Sequence, residues 1–240
     1  DVAGRVTVTE AVVEINTSLK ASGYRRVETD LEIDLGGTRL ALTRAYDALA
    51  RHGDGEFGHG WRLVPRDVDV QTNVELTGRE HLGVHGAFRG DTRLYLTLPS
   101  GARVGYAFAA EPVEVAGLTY YRPAWQPDPG VDYELHSVPA LLVKAGARFH
   151  DNETGQPYNP ASPFFEGPDY TLTAPDGTRY EIETGGGVVS VTTPSGHRLL
   201  YSDASITAST GESIQFVHDA AGRINRAMDS QGRTVVYSYD

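Results

Sequence analysis

Residues 222–240 read GRINRAMDSQGRTVVYSYD, two short units that each open on Gly-Arg and close on Asp. The first runs from Gly222-Arg223 to Asp229 and the second from Gly232-Arg233 to Asp240. A unit this small cannot bury an apolar face alone, so the repetition predicts a stacked array. Because the chain stops on a completed unit, more of the array is expected to follow it. In the second unit Val235, Tyr237 and Tyr239 alternate with Val236 and Ser238, which predicts a strand over 234–239 with one shared face. Tyrosines at matching places on successive strands would form cross-strand pairs, each worth ~0.2–1 kcal/mol. Asp240 is then expected to start the next turn.

Upstream the same rhythm loosens. Gly177, Gly196, Gly211, Gly222 and Gly232 punctuate short apolar-alternating runs, and Pro175-Asp176-Gly177 and Pro194-Ser195-Gly196 are turn sequences. This predicts strands over 170–174, 178–183, 188–192, 197–201, 213–218, 223–228 and 234–239, an antiparallel up-and-down meander. Nearer the start, Leu31, Ile33 and Leu35 alternate with Glu32 and Asp34, and Gly36-Gly37 marks a two-residue hairpin into the return strand 39–46. Alternation over 5–15 predicts an earlier strand. Further strands are expected over 67–76, 93–98 and 103–108, the last two joined by Pro99-Ser100-Gly101. Residues 109–170 carry nine prolines between Pro112 and Pro168. Proline donates nothing to a ladder, so this segment is expected to be an irregular covering plug, with strands only near 133–136 and 141–143. The chain thus divides into an N-terminal strand extension (1–28), an opening β region (29–108), a Pro-rich insertion (109–169) and a hairpin array (170–240).

Composition narrows the function classes. The 240 residues include 27 glycines, 13 prolines and no cysteine, and the formal charge is −11. Without cysteine there is neither a disulfide framework nor a thiolate metal site. With no basic run, there is no electrostatic footprint for nucleic acid or an anionic membrane. No apolar run approaches the ~18 residues of a membrane-spanning helix, so insertion by this segment is not expected.

The units at 222–240 resemble the YD repeat of bacterial RHS proteins, which is shared with teneurins and with shell components of Tc toxins. LEIDLGGTRLALTRAYDALARHGDGEFGHGWRL (31–63), with its Arg44-x-Tyr46 and Phe57-Gly-x-Gly-Trp61, is similar to the region that opens many RHS cores. YTLTAPDGTRYEI (170–182) and TGESIQFVHDAAGRI (210–224) are similar to the units that lead such cores into regular repeats. Only the last unit is a full match: Arg226 and Met228 stand near the tyrosine places of the preceding one, and Phe216 and His218 in the one before. The resemblance implies a spiralling β-sheet that curls into a hollow shell and, in toxin-type members, encloses a C-terminal effector. The residues it marks as structural are Gly222, Arg223, Gly232, Arg233, Tyr237, Tyr239 and Asp240. It also implies downstream YD repeats of the same parent chain as partners, and a secreted or cell-surface setting.

Residues able to carry chemistry are few. His81 and His85 are four apart, but GREHLGVHGAF is broken by glycine and offers no further ligand, whereas zinc takes three or four. His52 and His59 flank Asp54 and Glu56 in a glycine-rich loop that reads as a solvated turn. Asp151-Asn152-Glu153 gathers oxygens without the spacing of a calcium loop. Ser195, Ser209 and Ser213 lack a nucleophile-elbow context. Trp125, Tyr120 and Tyr121 are either core or a stacking surface for a glycan or protein partner. The expectation is therefore an all-β, non-enzymatic scaffold with no cofactor. An adhesive or carbohydrate-binding module competes with it, and a metal-dependent hydrolase carried by the histidines stands further off.

Overall fold

Alternating apolar residues between glycine turns leave the backbone one economical solution, antiparallel strands, and the computed structural model is built of little else. It describes residues 24–48, 54–98 and 102–239. The expected strand over 5–15, His52, the turn 99–101 and Asp240 lie outside these.

The opening hairpin is the clearest case. Strands β1 (Arg25–Asp34) and β2 (Arg39–Asp47) pair antiparallel, with Leu31, Ile33, Leu40 and Leu42 turned inward. Gly36 and Gly37 sit at φ +74° and +116°, which makes the two-residue loop possible, and the Leu35 amide donates to the Thr38 carbonyl across it. The register slips between Thr29 and Leu31, leaving Asp30 without a partner on β2. Because β1 begins at Arg25, the expected boundary at residue 28 falls inside a strand.

The next strands are short. The pair β3 (Asp54–Gly55) and β4 (Gly58–His59) forms a tight loop that leads into β5 (Trp61–Val64), the third strand beside β2. Strand β6 (Val70–Thr72) ends well before the expected residue 76 and pairs with β7 (Arg93–Thr97), which pairs with β8 (Arg103–Phe108).

The Pro-rich segment departs most from expectation. Six strands run through it: β9 (Glu111–Val115), β10 (Leu118–Arg122), β11 (Trp125–Pro127), β12 (Glu134–Ser137), β13 (Leu142–Ala145) and β14 (Arg148–Asp151). The prolines permit this by position. Pro112 lies on β9, an edge strand, Pro127 ends β11, also an edge, and the others fall between strands. The segment is interleaved with its neighbours: β14-β13-β10-β9 form one sheet, β11 joins β8-β7-β6, and β12 opens the largest sheet.

That sheet has nine strands in the order β12-β15-β16-β17-β18-β19-β20-β21-β22, with β15–β22 in chain order. They are β15 (Tyr170–Thr173), β16 (Arg179–Glu183), β17 (Gly187–Thr192), β18 (Arg198–Tyr201), β19 (Ser205–Ala208), β20 (Ser213–His218), β21 (Ile224–Asp229) and β22 (Thr234–Val236). The molecule is all-β and antiparallel, and its sheets do not close into a barrel. Five connections in the large sheet share one turn: the amide of its first residue donates to the carbonyl four residues on, and the amide of the glycine three on donates back to the first residue's carbonyl. Those glycines, 177, 196, 211, 222 and 232, lie at φ between +81° and +102°. This is the type I turn with a glycine bulge that suits three-residue hairpins. A main core joins the inner face of this sheet to the opening hairpin, β7 and β8, while Phe88, Phe108, Leu142, Phe149 and Tyr158 form a second cluster around the insertion.

Candidate functional site

The two ends of the motif pattern meet. Strand β22 stops at Val236, three residues before the expected array strand is complete, although the Tyr237 amide still donates to the Asn225 carbonyl of β21 at 2.8 Å. Strand β21 carries no aromatic residue, so Tyr237 and Tyr239 make no cross-strand aromatic ladder with it. The Tyr237 ring lies edge-on to Phe57 at 5.1 Å, and its hydroxyl donates to Asp30 Oδ2 at 2.7 Å. Asp30 can reach it because the bulge in β1 frees that residue from the ladder and re-aims it.

Arg44 sits at the centre. Its guanidinium donates to Asp30 through Nε at 2.5 Å and Nη2 at 3.1 Å, a two-pronged carboxylate pair. It also lies 4.6 Å from the ring centre of Trp61, 5.0 Å from Tyr237 and 5.5 Å from Phe57, a cation held among three aromatic faces. Burial works against the Arg44 charge, but Asp30 outweighs it and the pKa is held up. Burial first, and then the bond to Asp30, push the Tyr237 hydroxyl far above its ordinary value, so it stays a proton donor. Tyr46, the other half of Arg-x-Tyr, packs on Trp61 at 5.4 Å.

The repeat residues lock the same seam from the other side. Asp219 Oδ1 accepts from the amides of Ala221 and Arg223, each at 2.9 Å, and Oδ2 accepts from Arg223 Nε at 2.9 Å. Asp229 repeats the arrangement with Gln231 and Arg233 at 2.9, 2.8 and 2.6 Å. Gly-Arg is thus the second half of an Asp-x-x-Gly-Arg turn, in which aspartate caps the loop and fixes the arginine. The two arginines then reach outward. The Arg223 guanidinium stacks 4.1 Å from the Tyr239 ring, and Arg233 Nη2 donates to the Glu32 carbonyl of β1 at 2.5 Å. Tyr239 donates to the Ile224 carbonyl at 2.6 Å, and the Ile224 amide donates to the Glu56 carbonyl at 2.7 Å.

A cleft of about 1000 Å³ lies along this seam, lined by Arg44, Glu56, Trp61, Arg223, Tyr237 and Tyr239 among others. Beside it Arg66, only 8% exposed, bonds both Glu56 and Asp203, tying the opening loop to the turn between β18 and β19. Burial and the neighbouring Asp67 push the Glu56 carboxyl up to about 7 against the pull of Arg66, and its Oε2 is buried without a partner. The Arg66 carbonyl accepts from the Val188 amide at 2.8 Å, a close approach that Gly187 permits. No protein-family model matches the chain, and no curated protein matches it.

The other candidates scatter. His81 is exposed in a 3-10 turn (Glu80–Leu82), and His85 lies in the following loop. Among the described residues no group of three or more His, Cys, Asp or Glu is arranged to hold a metal ion. Asp151 Oδ1 accepts from the Glu153 and Thr154 amides and the Thr154 hydroxyl, so its oxygens cap their own turn. Ser195 bonds Thr193, Ser209 accepts from the Arg198 amide, and the Ser213 amide donates to Ser230; none of these bonds involves a side-chain base. Trp125 packs edge-on to Phe88, Phe108 and Tyr170, and its Nε1 donates to Ser137 Oγ at 2.9 Å. Tyr121 packs on Phe149 at 5.4 Å, and Tyr120 is half-buried on β10. The three expected aromatics therefore form no common exposed platform. Sequence reading missed Asp30, whose role follows from a bulge, and Arg66, whose partners lie 10 and 137 residues away.

Proposed function

We propose that this chain is a non-enzymatic structural module, the opening region of an RHS/YD-repeat shell in a large secreted or surface-displayed bacterial protein. Its array would enclose or display a C-terminal effector. The observation that carries this reading is the seam: Arg44 and Phe57 of the opening motifs pack on Tyr237 of the last unit, whose hydroxyl bonds Asp30. The charged groups at its centre pair with one another, Arg44 with Asp30 and Arg223 with Asp219, which supports a cluster whose role is to fix geometry. The recurring turn of the nine-stranded sheet supports the same reading, since a sheet built by repetition extends by repetition.

The test is a cryo-EM structure of the full-length natural protein. The sheet is expected to continue beyond β22 through further Tyr-x-Tyr-Asp strands and to coil around an interior. An unrelated domain packed on β22, or repeats that form separate compact units, would overturn the proposal.

A further inference from the structure

A second cleft, of about 870 Å³, lies at the opposite end of the large sheet, where the insertion meets it. We propose that it binds a ligand carrying one oxyanion group, carboxylate or phosphate, on an apolar body. The strand register assembles it. In β12 and β15, His136 pairs with Thr171, and Thr173 pairs with Arg179 of β16. Alternation sends Leu135 and Leu172 into the core, so His136, Thr171, Thr173 and Arg179 share the outward face. Arg122 enters from the end of β10 in the neighbouring sheet, and Pro123, Pro139 and Leu141 supply apolar walls.

Charge makes the cleft distinctive. The chain carries a formal −11, yet no carboxylate lines this cleft and two guanidiniums do. Most described arginines face an acid, as Arg93 faces Asp128, Arg198 faces Glu181 and Arg233 faces Asp229. Neither Arg122 nor Arg179 makes an ion pair with a carboxylate among the described residues, although Glu111 stands opposite Arg122 in the register of β9 and β10. Planar guanidiniums match the paired oxygens of carboxylate and phosphate, and apolar walls strengthen such a pair by excluding water. The Thr171 and Thr173 hydroxyls offer further donors. Glu134, at the rim, bonds His136 Nε2 at 2.9 Å and holds that ring in place.

The cleft binds without reacting. Ser137 accepts from Trp125 Nε1 and bonds Tyr158 Oη at 2.9 Å, while Tyr158 donates to the Val138 carbonyl at 2.8 Å. The serine hydroxyl is therefore committed to a buried chain with no base in it. The seam cleft differs in that Asp30 and Asp219 already neutralise its arginines.

Isothermal titration of the whole chain with phenylphosphate, phenylacetate, inorganic phosphate and neutral benzyl alcohol tests the proposal. Saturable one-to-one binding of phenylphosphate or phenylacetate with Kd of about 1 mM or tighter is expected, with inorganic phosphate and benzyl alcohol weaker. A preference for phenylphosphate assigns a phosphate-bearing ligand, and a preference for phenylacetate assigns a carboxylate. The Arg122→Gln/Arg179→Gln variant should weaken binding by about tenfold or more, since charge-assisted bonds are worth ~1.5–3 kcal/mol each. Arg148→Gln/Arg226→Gln, which removes two arginines outside the cleft, should leave it unchanged. Circular dichroism and Tm establish that both variants are folded. No saturable binding of either aromatic anion, equal binding of benzyl alcohol, or equal loss in both variants would overturn the site.

Discussion

At the scale of the residue, Asp30 decides more than its place in an ordinary strand suggests. Alternation along β1 assigns it to solvent beside Glu32, and only the bulge turns it onto Arg44 and Tyr237. Removing the Tyr237 hydroxyl deprives a half-buried carboxylate of a donor, so Tyr237→Phe should cost about 1–2 kcal/mol. That corresponds to roughly 2–4 °C in Tm for each kcal/mol in a chain of this size, read by differential scanning calorimetry. A double-mutant cycle with Asp30→Asn should show a coupling of about 0.5 kcal/mol or more. A coupling near zero would mean that the hydroxyl and the carboxylate do not stabilise the seam together. The motif tyrosines could be picked out in the sequence because they recur, but Asp30 could not, because bulge position depends on how two strands settle against a third.

Elements follow their local signals closely where the turns are regular. Gly36-Gly37 and the five array glycines each fall at a positive φ, and the strands between them lie within a residue or two of expectation. Strand β19 had no clear signal: its four residues, SITA, are too few to show a period. The strands of the Pro-rich insertion are not legible in the sequence, because a count of prolines does not say which of them fall on edges. Two glycines separate the backbone effect from the packing effect. Around Gly222, at φ +81°, an added methyl would meet open space, so Gly222→Ala should cost about 1 kcal/mol from backbone strain alone. At Gly187, with φ +72°, the methyl would collide with the Arg66 carbonyl oxygen that receives the Val188 amide. Gly187→Ala should therefore be destabilising by about 3 kcal/mol or more through strain and a broken contact. Denaturant midpoints at unchanged m-value measure both; equal losses would deny that the opening segment docks on β17.

Across the whole molecule, Glu56, Arg66 and Asp203 join the opening loop to the large sheet, and the raised Glu56 pKa makes that junction sensitive to pH. Folded Glu56 holds its proton up to about pH 7, whereas an unfolded glutamate releases it near 4.3. Between those values the native state binds more protons, so stability falls as pH rises and levels off above about 7. Burial raises Asp67 in the same direction. Asp219 is held below its usual range by the Arg223 amide and side chain, and its stabilising effect is lost only at more acid pH. Because the rim is partly open to solvent, the loss through Glu56 is held to about 1–2 kcal/mol. Chemical denaturation from pH 5 to 8 should show this decline, and Glu56→Gln should flatten it; an unchanged slope in the variant would assign the effect elsewhere.

The sequence by itself determined the all-β class, the turns and the antiparallel meander. Those depend on period-two alternation and on glycine at positive φ, which act over a few residues. The tertiary structure alone decided that β12 leaves the insertion to head the large sheet, that Asp30 faces Arg44, and that Tyr237 reaches Asp30 and Phe57 in the opening region. Each joins groups far apart in the chain, up to 207 residues for Tyr237 and Asp30. No local pattern encodes such a pairing, because it is the burial of whole faces that brings the groups within hydrogen-bonding range.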